Sequence, residues 1–173
     1  MAPIAHTLDL AGLGLSPGQG RRLELSVTPG RLLAGADELA AVQGAVPARL
    51  DVSRMASGHA MRLRFAAPIE GPCVRCIEPA KVRVEVDARE VDRPGTDDEE
   101  LASPYVSGDE LDLAAWAHDS LALALPPQVL CRPDCAGLCP VCGESLNDAD
   151  PRRHEHQREP DPRWAKLREL PLE

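Results

Sequence analysis

The chain has 173 residues, 43% of them hydrophobic but only 2% aromatic, and a formal net charge of −9. That length suits one domain, or one domain with a small appendage. The acidic balance excludes a protein that coats nucleic acid by bulk charge, because neutralising phosphates takes clustered Lys and Arg.

A core so poor in aromatic rings has to be built largely from Ala, Leu and Val, which bury less area per side chain. In chain order, residues 6–10 (HTLDL) alternate and predict a first strand. Leu23, Leu25 and Val27 alternate with Glu24 and Ser26, the period of a half-buried strand. Pro29-Gly30 marks a turn. Asp37 to Val42 predicts one or two helical turns. The clearest β signal follows in three runs. Val46, Ala48, Leu50 and Val52 form the first, and Met61, Leu63 and Phe65, after a turn at Ser57-Gly58, the second. The third is Val82, Val84, Val86 and Ala88. Short connections between them imply an antiparallel meander with one apolar face. Arg49, Arg62, Arg64 and Arg83 take outward positions; a solvated face is the ordinary meaning of such a row, and a basic binding face the alternative.

Residues 92–110 (DRPGTDDEELASPYVSGDE) are acidic and interrupted by proline, and predict an exposed loop. Thr96–Glu100 within it would suit a basic partner. Asp112 is placed to cap a helix in which Leu113, Trp116, Ala117, Ser120, Leu121 and Ala124 share one face, with Trp116 as core anchor. Pro126-Pro127 ends it. In the tail, Asp161 and Pro162 can start a short helix carrying Trp164 and Leu167. No internal repeat stands out.

The fold class expected is α+β: an antiparallel meander with a packed helix and a Cys-rich zinc-binding carboxy-terminal segment. Residues 1–130 would form the α+β part, and residues 131–173 the Cys-rich segment with its helix, packed on the first as one unit. No apolar run of about eighteen residues occurs, and MAPIAHTLDL lacks the pattern of a secretory signal, so a cytoplasmic location is expected.

Six cysteines in a reducing compartment favour metal over disulfides. Cys73-x2-Cys76 lies between the second and third runs, where a hairpin tip would present it. Cys131, Cys135, Cys139 and Cys142 fall within CRPDCAGLCPVC. Zinc takes four thiolate or imidazole ligands in a tetrahedron, and a C-x2-C turn supplies two of them, with backbone N–H groups aimed at the sulfurs. Gly143, immediately after Cys142, suits that turn. The spacings leave three partitions open. Cys73, Cys76, Cys131 and Cys135 can form one site, with Cys139 and Cys142 joined by His154 and His156 in a second. Cys73, Cys76, Cys139 and Cys142 can form a two-knuckle ribbon. Cys131, Cys135, Cys139 and Cys142 can serve alone. The first leaves no cysteine over, and one or two zinc ions are expected. Arg75, inside the first knuckle, could offset the charge of four thiolates.

No catalytic constellation stands out. A redox dithiol needs its C-x2-C at a helix N-terminus, whereas Cys73 and Cys76 lie between strands. The thiolate-rich inventory also suits closed, structural sites, so no enzyme activity is expected.

GPCVRCIEP, then a strand, an Asp-capped helix ending LALPPQVLC, and C-x3-C-AGLCPVCGESLN with a DPRW tail together resemble the YceD family of large-subunit ribosomal RNA accumulation proteins. The resemblance covers the latter two-thirds of the chain. Ser145 stands where members often have Asn, and His154-Glu155-His156 where many have C-x-C. Members without the GLCPxCG segment suggest that it supports structure. The resemblance implies a role in large-subunit biogenesis supporting 23S rRNA accumulation. Its partner would be a large-subunit ribosomal protein, a pre-ribosomal particle or rRNA, with no membrane and no small-molecule substrate. Two other classes stay open: a zinc-ribbon module acting on nucleic acid or in transcription, and a thiol redox or metal sensor.

Overall fold

The structure, a computed structural model, describes residues 2–34, 37–41, 44–95, 101–148, 150, 154 and 156. Chain contacts divide it into two compact units, Met1–Pro133 and Asp134–Glu173.

The first unit is built on two long strands, β6 (His59–Pro72) and β7 (Pro79–Asp92), which pair antiparallel without a break from His59↔Asp92 to Pro72↔Pro79. Strict alternation along β6 buries Met61, Leu63, Phe65, Ala67 and Ile69 on one face. Its other edge is shared. β5 (Val46–Arg54) pairs with it from His59 to Phe65, and β4 (Asp37–Ala41) at Ile69 and Glu70. Pro68 falls in the gap between these two partners, where a residue without an N–H costs least. β2 (Gly20–Val27) pairs with β5, and β3 (Arg31–Ala34) with β4, giving the order β2-β5-β6-β4-β3 with β7 on the far side of β6. The predicted meander is therefore present as β5, β6 and β7, within α+β architecture.

Two expectations are corrected. Asp37 to Val42 is not helical: over its described residues it is strand β4, set in a hairpin against β3. A stretch this short has too few turns to be held by helix propensity, while pairing buries Leu32 against Leu39. The acidic loop is also partly structured. β8 (Val106–Ser107) and β9 (Glu110–Asp112) lie in or beside it, and β9 pairs with β1 (Thr7–Asp9) in a second, three-stranded sheet. β1 falls within the strand read at residues 6–10, whereas β8 and β9 are too short to leave a periodic signal. Asp92 and Ser103 are buried at the loop's neck, where the Asp92 carboxylate accepts from the Ser103 N–H at 3.3 Å. Thr96–Glu100 lies outside the described residues.

α1 (Leu113–Ala124) starts at the predicted cap, with the Ala115 N–H donating to Asp112 Oδ1 at 2.9 Å. Leu113, Trp116, Ala117, Ser120 and Leu121 are buried, and Trp116 is 2% exposed. Among the described residues no helix is long and apolar enough to cross a membrane. The helix predicted at Asp161–Leu170 lies outside the described residues.

Candidate metal centre

The turn between β6 and β7 is the first knuckle. The Cys73 N–H donates to the Glu78 carbonyl at 2.8 Å, and the Ile77 N–H to the Cys73 carbonyl at 2.9 Å. This closes the turn with N–H groups around sulfur. Burial pushes the Cys73 thiol up, but the N–H groups of Arg75, Cys131 and Cys76, with the Cys76 thiol, outweigh it and bring it down to about 6. The Val74 N–H donates to the Val129 carbonyl at 3.0 Å, which brings the segment after α1 back to the knuckle. Cys76 Sγ consequently lies 3.5 Å from Cys131 Sγ and 3.8 Å from the Glu78 carboxylate. With Cys135 these thiols make a group of four whose ligand atoms all lie within 4.8 Å of one another.

The second knuckle repeats the same bonds at the same spacing. The Cys139 N–H donates to the Glu144 carbonyl at 2.8 Å, and the Gly143 N–H to the Cys139 carbonyl at 2.8 Å. Around it Leu138 bridges Ser145, and the Leu146 N–H donates to the Gly137 carbonyl at 2.8 Å. Asn147 Oδ1 accepts from the Ala136 N–H at 2.8 Å. His154 Nδ1 stands 3.5 Å from Cys142 Sγ, and Cys139, Cys142, His154 and His156 form the second group of four within 4.8 Å.

The N–H groups of Cys142 and Val141 lower the Cys139 thiol, with His154 helping and burial opposing, to about 6. Cys142 is drawn down by the Glu144 N–H, yet burial and the Cys139 thiol beside it hold it above its ordinary value. In the second knuckle the Cys139 thiolate forms readily and opposes that of Cys142, an opposition that a divalent cation removes.

None of the six cysteines is in a disulfide. Of the three partitions open in the sequence, the structure assembles the first: Cys73, Cys76, Cys131 and Cys135 in one group, and Cys139, Cys142, His154 and His156 in the other. Thiolates and imidazoles in fours are the donor chemistry of a tetrahedral ion, so both groups could hold a metal. The sequence reading passed over one feature, the repetition of Cys-x2-Cys-x-Glu as CVRCIE and CPVCGE. Each knuckle closes on the carbonyl of that Glu, and each puts the residue before it at positive φ: 64° at Ile77 and 75° at Gly143. The repeat is real at the level of the turn, although the paired residues differ.

The row of outward arginines is a charge-paired face. Arg49 Nε meets Glu24 at 2.8 Å, Arg62 Nε meets Asp87 at 2.6 Å, and Arg22 and Arg64 share Asp51. Arg83 lies 4.0 Å from Glu85. Cross-strand pairing at this register sets acid against base, so the face does not present an uncompensated basic row.

The family described as Large ribosomal RNA subunit accumulation protein YceD matches residues 61–171, well over half of the chain. The chain belongs to the YceD family. The YceD match begins in β6 and includes both knuckles and all eight candidate ligands. Uncharacterized proteins of Mycobacterium tuberculosis and Mycobacterium bovis are each 38% identical to it over 171 residues, covering 95% of this chain and 80% of theirs. One from Mycobacterium leprae is 31% identical over 169 residues, covering 94% of this chain and 76% of its own length. These similarities extend into the amino-terminal strands that the YceD match leaves out. No solved structure matches the chain significantly.

Proposed function

We propose that this YceD protein is a non-enzymatic accessory factor of large ribosomal subunit biogenesis in the cytoplasm. Two zinc ions hold its fold, and it supports 23S rRNA accumulation by binding a basic large-subunit protein. The observation that carries the reading is the family match over residues 61–171. The two groups of four support zinc as the ion, since Zn²⁺ takes Cys₄ and Cys₂His₂ sets in closed structural sites. An ion held by Cys73, Cys76, Cys131 and Cys135 would tie the tip of β6 and β7 to the chain after α1, and so supplement a core poor in aromatic rings.

A protein partner is preferred to direct rRNA contact for two reasons. The arginines of the sheet face are already paired with carboxylates, and the chain carries a net charge of −9. Phosphate binding needs cations that are free to replace counterions.

The test is depletion of the protein in its own cells, with large- and small-subunit rRNA and particles quantified on a gradient. A selective loss of large-subunit rRNA and particles is expected. An unchanged ratio overturns the reading.

A further inference from the structure

The second knuckle carries a charged group outside its set of four ligands. Glu144 follows Cys142 by two residues, and its carbonyl closes the turn by accepting from the Cys139 N–H at 2.8 Å. That bond fixes the Glu144 backbone, and with it the side from which the side chain leaves the turn. The carboxylate is 74% exposed and comes to 4.0 Å from His154 Nε2, while the His154 side chain is only 7% exposed.

The two ring nitrogens of His154 therefore meet different chemistry. Nδ1 stands 3.5 Å from Cys142 Sγ, on the side of the thiols. Nε2 faces the carboxylate. A neutral imidazole that gives one nitrogen to a metal carries its proton on the other. In this ring the nitrogen left with the proton is the one beside an acceptor.

We propose that Glu144 is a positioning residue of the second centre: its carboxylate accepts from His154 Nε2–H and so holds the ring with Nδ1 turned to the zinc that Cys139, Cys142 and His156 also bind. This role rests on the reading of the second group as a zinc site. The 4.0 Å separation is longer than a hydrogen bond, and an exposed carboxylate shortens it by side-chain rotation alone. A carboxylate behind a ligating imidazole fixes its orientation and raises its basicity, and its loss typically weakens metal binding 10- to 100-fold.

The first knuckle supplies the contrast. Glu78 takes the same place in the Cys-x2-Cys-x-Glu repeat, and its carboxylate lies 3.8 Å from Cys76 Sγ. A metal-bound thiolate has no proton to donate, so Glu78 has nothing to orient there. Simple attraction between a carboxylate and a nearby dication would act in both knuckles, whereas orientation of a histidine acts only in the second.

The test uses the full zinc-loaded chain with Glu144→Ala, Glu144→Gln and Glu78→Ala, all of which keep the backbone carbonyl that closes the turn. Zinc affinity is measured by competition with a chromophoric chelator, and the equivalent lost in Cys142→Ser marks the second centre. Glu144→Ala is expected to weaken that equivalent about tenfold and to leave the other unchanged. Glu144→Gln, which keeps an acceptor oxygen without the charge, should lie between it and the parent. Glu78→Ala should weaken neither. Imidazole proton–nitrogen correlation spectra of the parent should show His154 bound through Nδ1 and protonated at Nε2, with exchange of that proton faster in Glu144→Ala. Ligation through Nε2, unchanged affinity in Glu144→Ala, or equal weakening by Glu78→Ala overturns the proposal. Complete loss of the second equivalent in Glu144→Ala also does, since it makes the carboxylate a ligand. A parent chain that takes up no zinc at the second group overturns the zinc reading together with this role. A parent that fills both groups, with Glu144→Ala matching it, overturns this role alone.

Discussion

The sulfurs of Cys76 and Cys131 lie 3.5 Å apart across a sequence separation of 55 residues. One comes from the turn between the longest strands and the other from the chain just past α1. Their approach depends on the Val74–Val129 main-chain bond, which leads the chain back to the turn. Cys131→Ser and Cys142→Ser are therefore expected to remove one equivalent of zinc each, from different groups. Cys131→Ser should cost about 3 kcal/mol or more, a fall in Tm of roughly 6–12 °C for a chain of this length. Cys142 is exposed, so its replacement should lower Tm less. Metal analysis by mass spectrometry beside thermal unfolding checks both; unchanged metal content in both variants would overturn the assignment.

Ile77 and Gly143 occupy the same place in the two knuckles, both at positive φ. A β-branched residue there is strained by about 1–2 kcal/mol, while glycine loses more chain entropy on folding, by about 0.5–1 kcal/mol. Ile77→Gly should thus stabilise the protein by about 0.5–1 kcal/mol. Gly143→Val should destabilise it by about 0.5–1 kcal/mol, the same strain less the same entropy, since a Cβ there meets nothing within 4 Å. Urea midpoints at saturating zinc distinguish the two directions.

Gly58, at φ 87°, packs on the end of β7, and a Cβ built on it would stand 1.8 Å from the Asp92 carbonyl oxygen. Gly58→Ala should cost about 3 kcal/mol or more, from strain and from displacement of backbone. Gly18, at φ 85° with open space around it, provides the control. Gly18→Ala pays for its conformation only, about 1 kcal/mol. Equal losses in the two variants would show that the contact with Asp92 contributes nothing.

His59 is buried beneath the same turn, with Arg54 Nη1 3.1 Å from its Nε2. Burial holds the imidazole below its ordinary 6.5, and Arg54 adds to this, while Asp92 and Asp109 oppose it. A histidine with a lowered folded-state pKa takes up a proton more readily when unfolded. Its contribution to stability is therefore complete above about 6.5 and declines as pH falls below that value. Thermal unfolding between pH 7.5 and 5 should show a shallower loss of Tm in His59→Gln than in the parent chain. The difference in slope isolates His59 from the metal ligands, which titrate in both proteins. A steeper slope in the variant would reverse the assignment.

Where the sequence carries a period, its reading and the structure agree. Leu50 to Val52, Met61 to Phe65 and Val82 to Ala88 alternate because one face of each strand is buried, and that constraint is written residue by residue. The Asp112 cap and Trp116 are equally local. The cysteines and histidines announced metal chemistry by type and spacing, but spacing alone left three partitions. Only the folded chain selects among them, because the choice depends on which segments meet in space. β4 was misread as helix because its pairing with β3 and β6 outweighs its own weak preference. β1 was read from its alternation, but the small sheet went unseen because β8 and β9 are too short to show a period. The arginine row shows the same division. Its residues were plain in the sequence, but only the cross-strand register sets Asp51 between Arg22 and Arg64 and turns a candidate basic face into a paired one. Local pattern is stored in neighbouring residues, whereas ligand grouping and charge pairing are stored in contacts between distant ones, which exist only after folding.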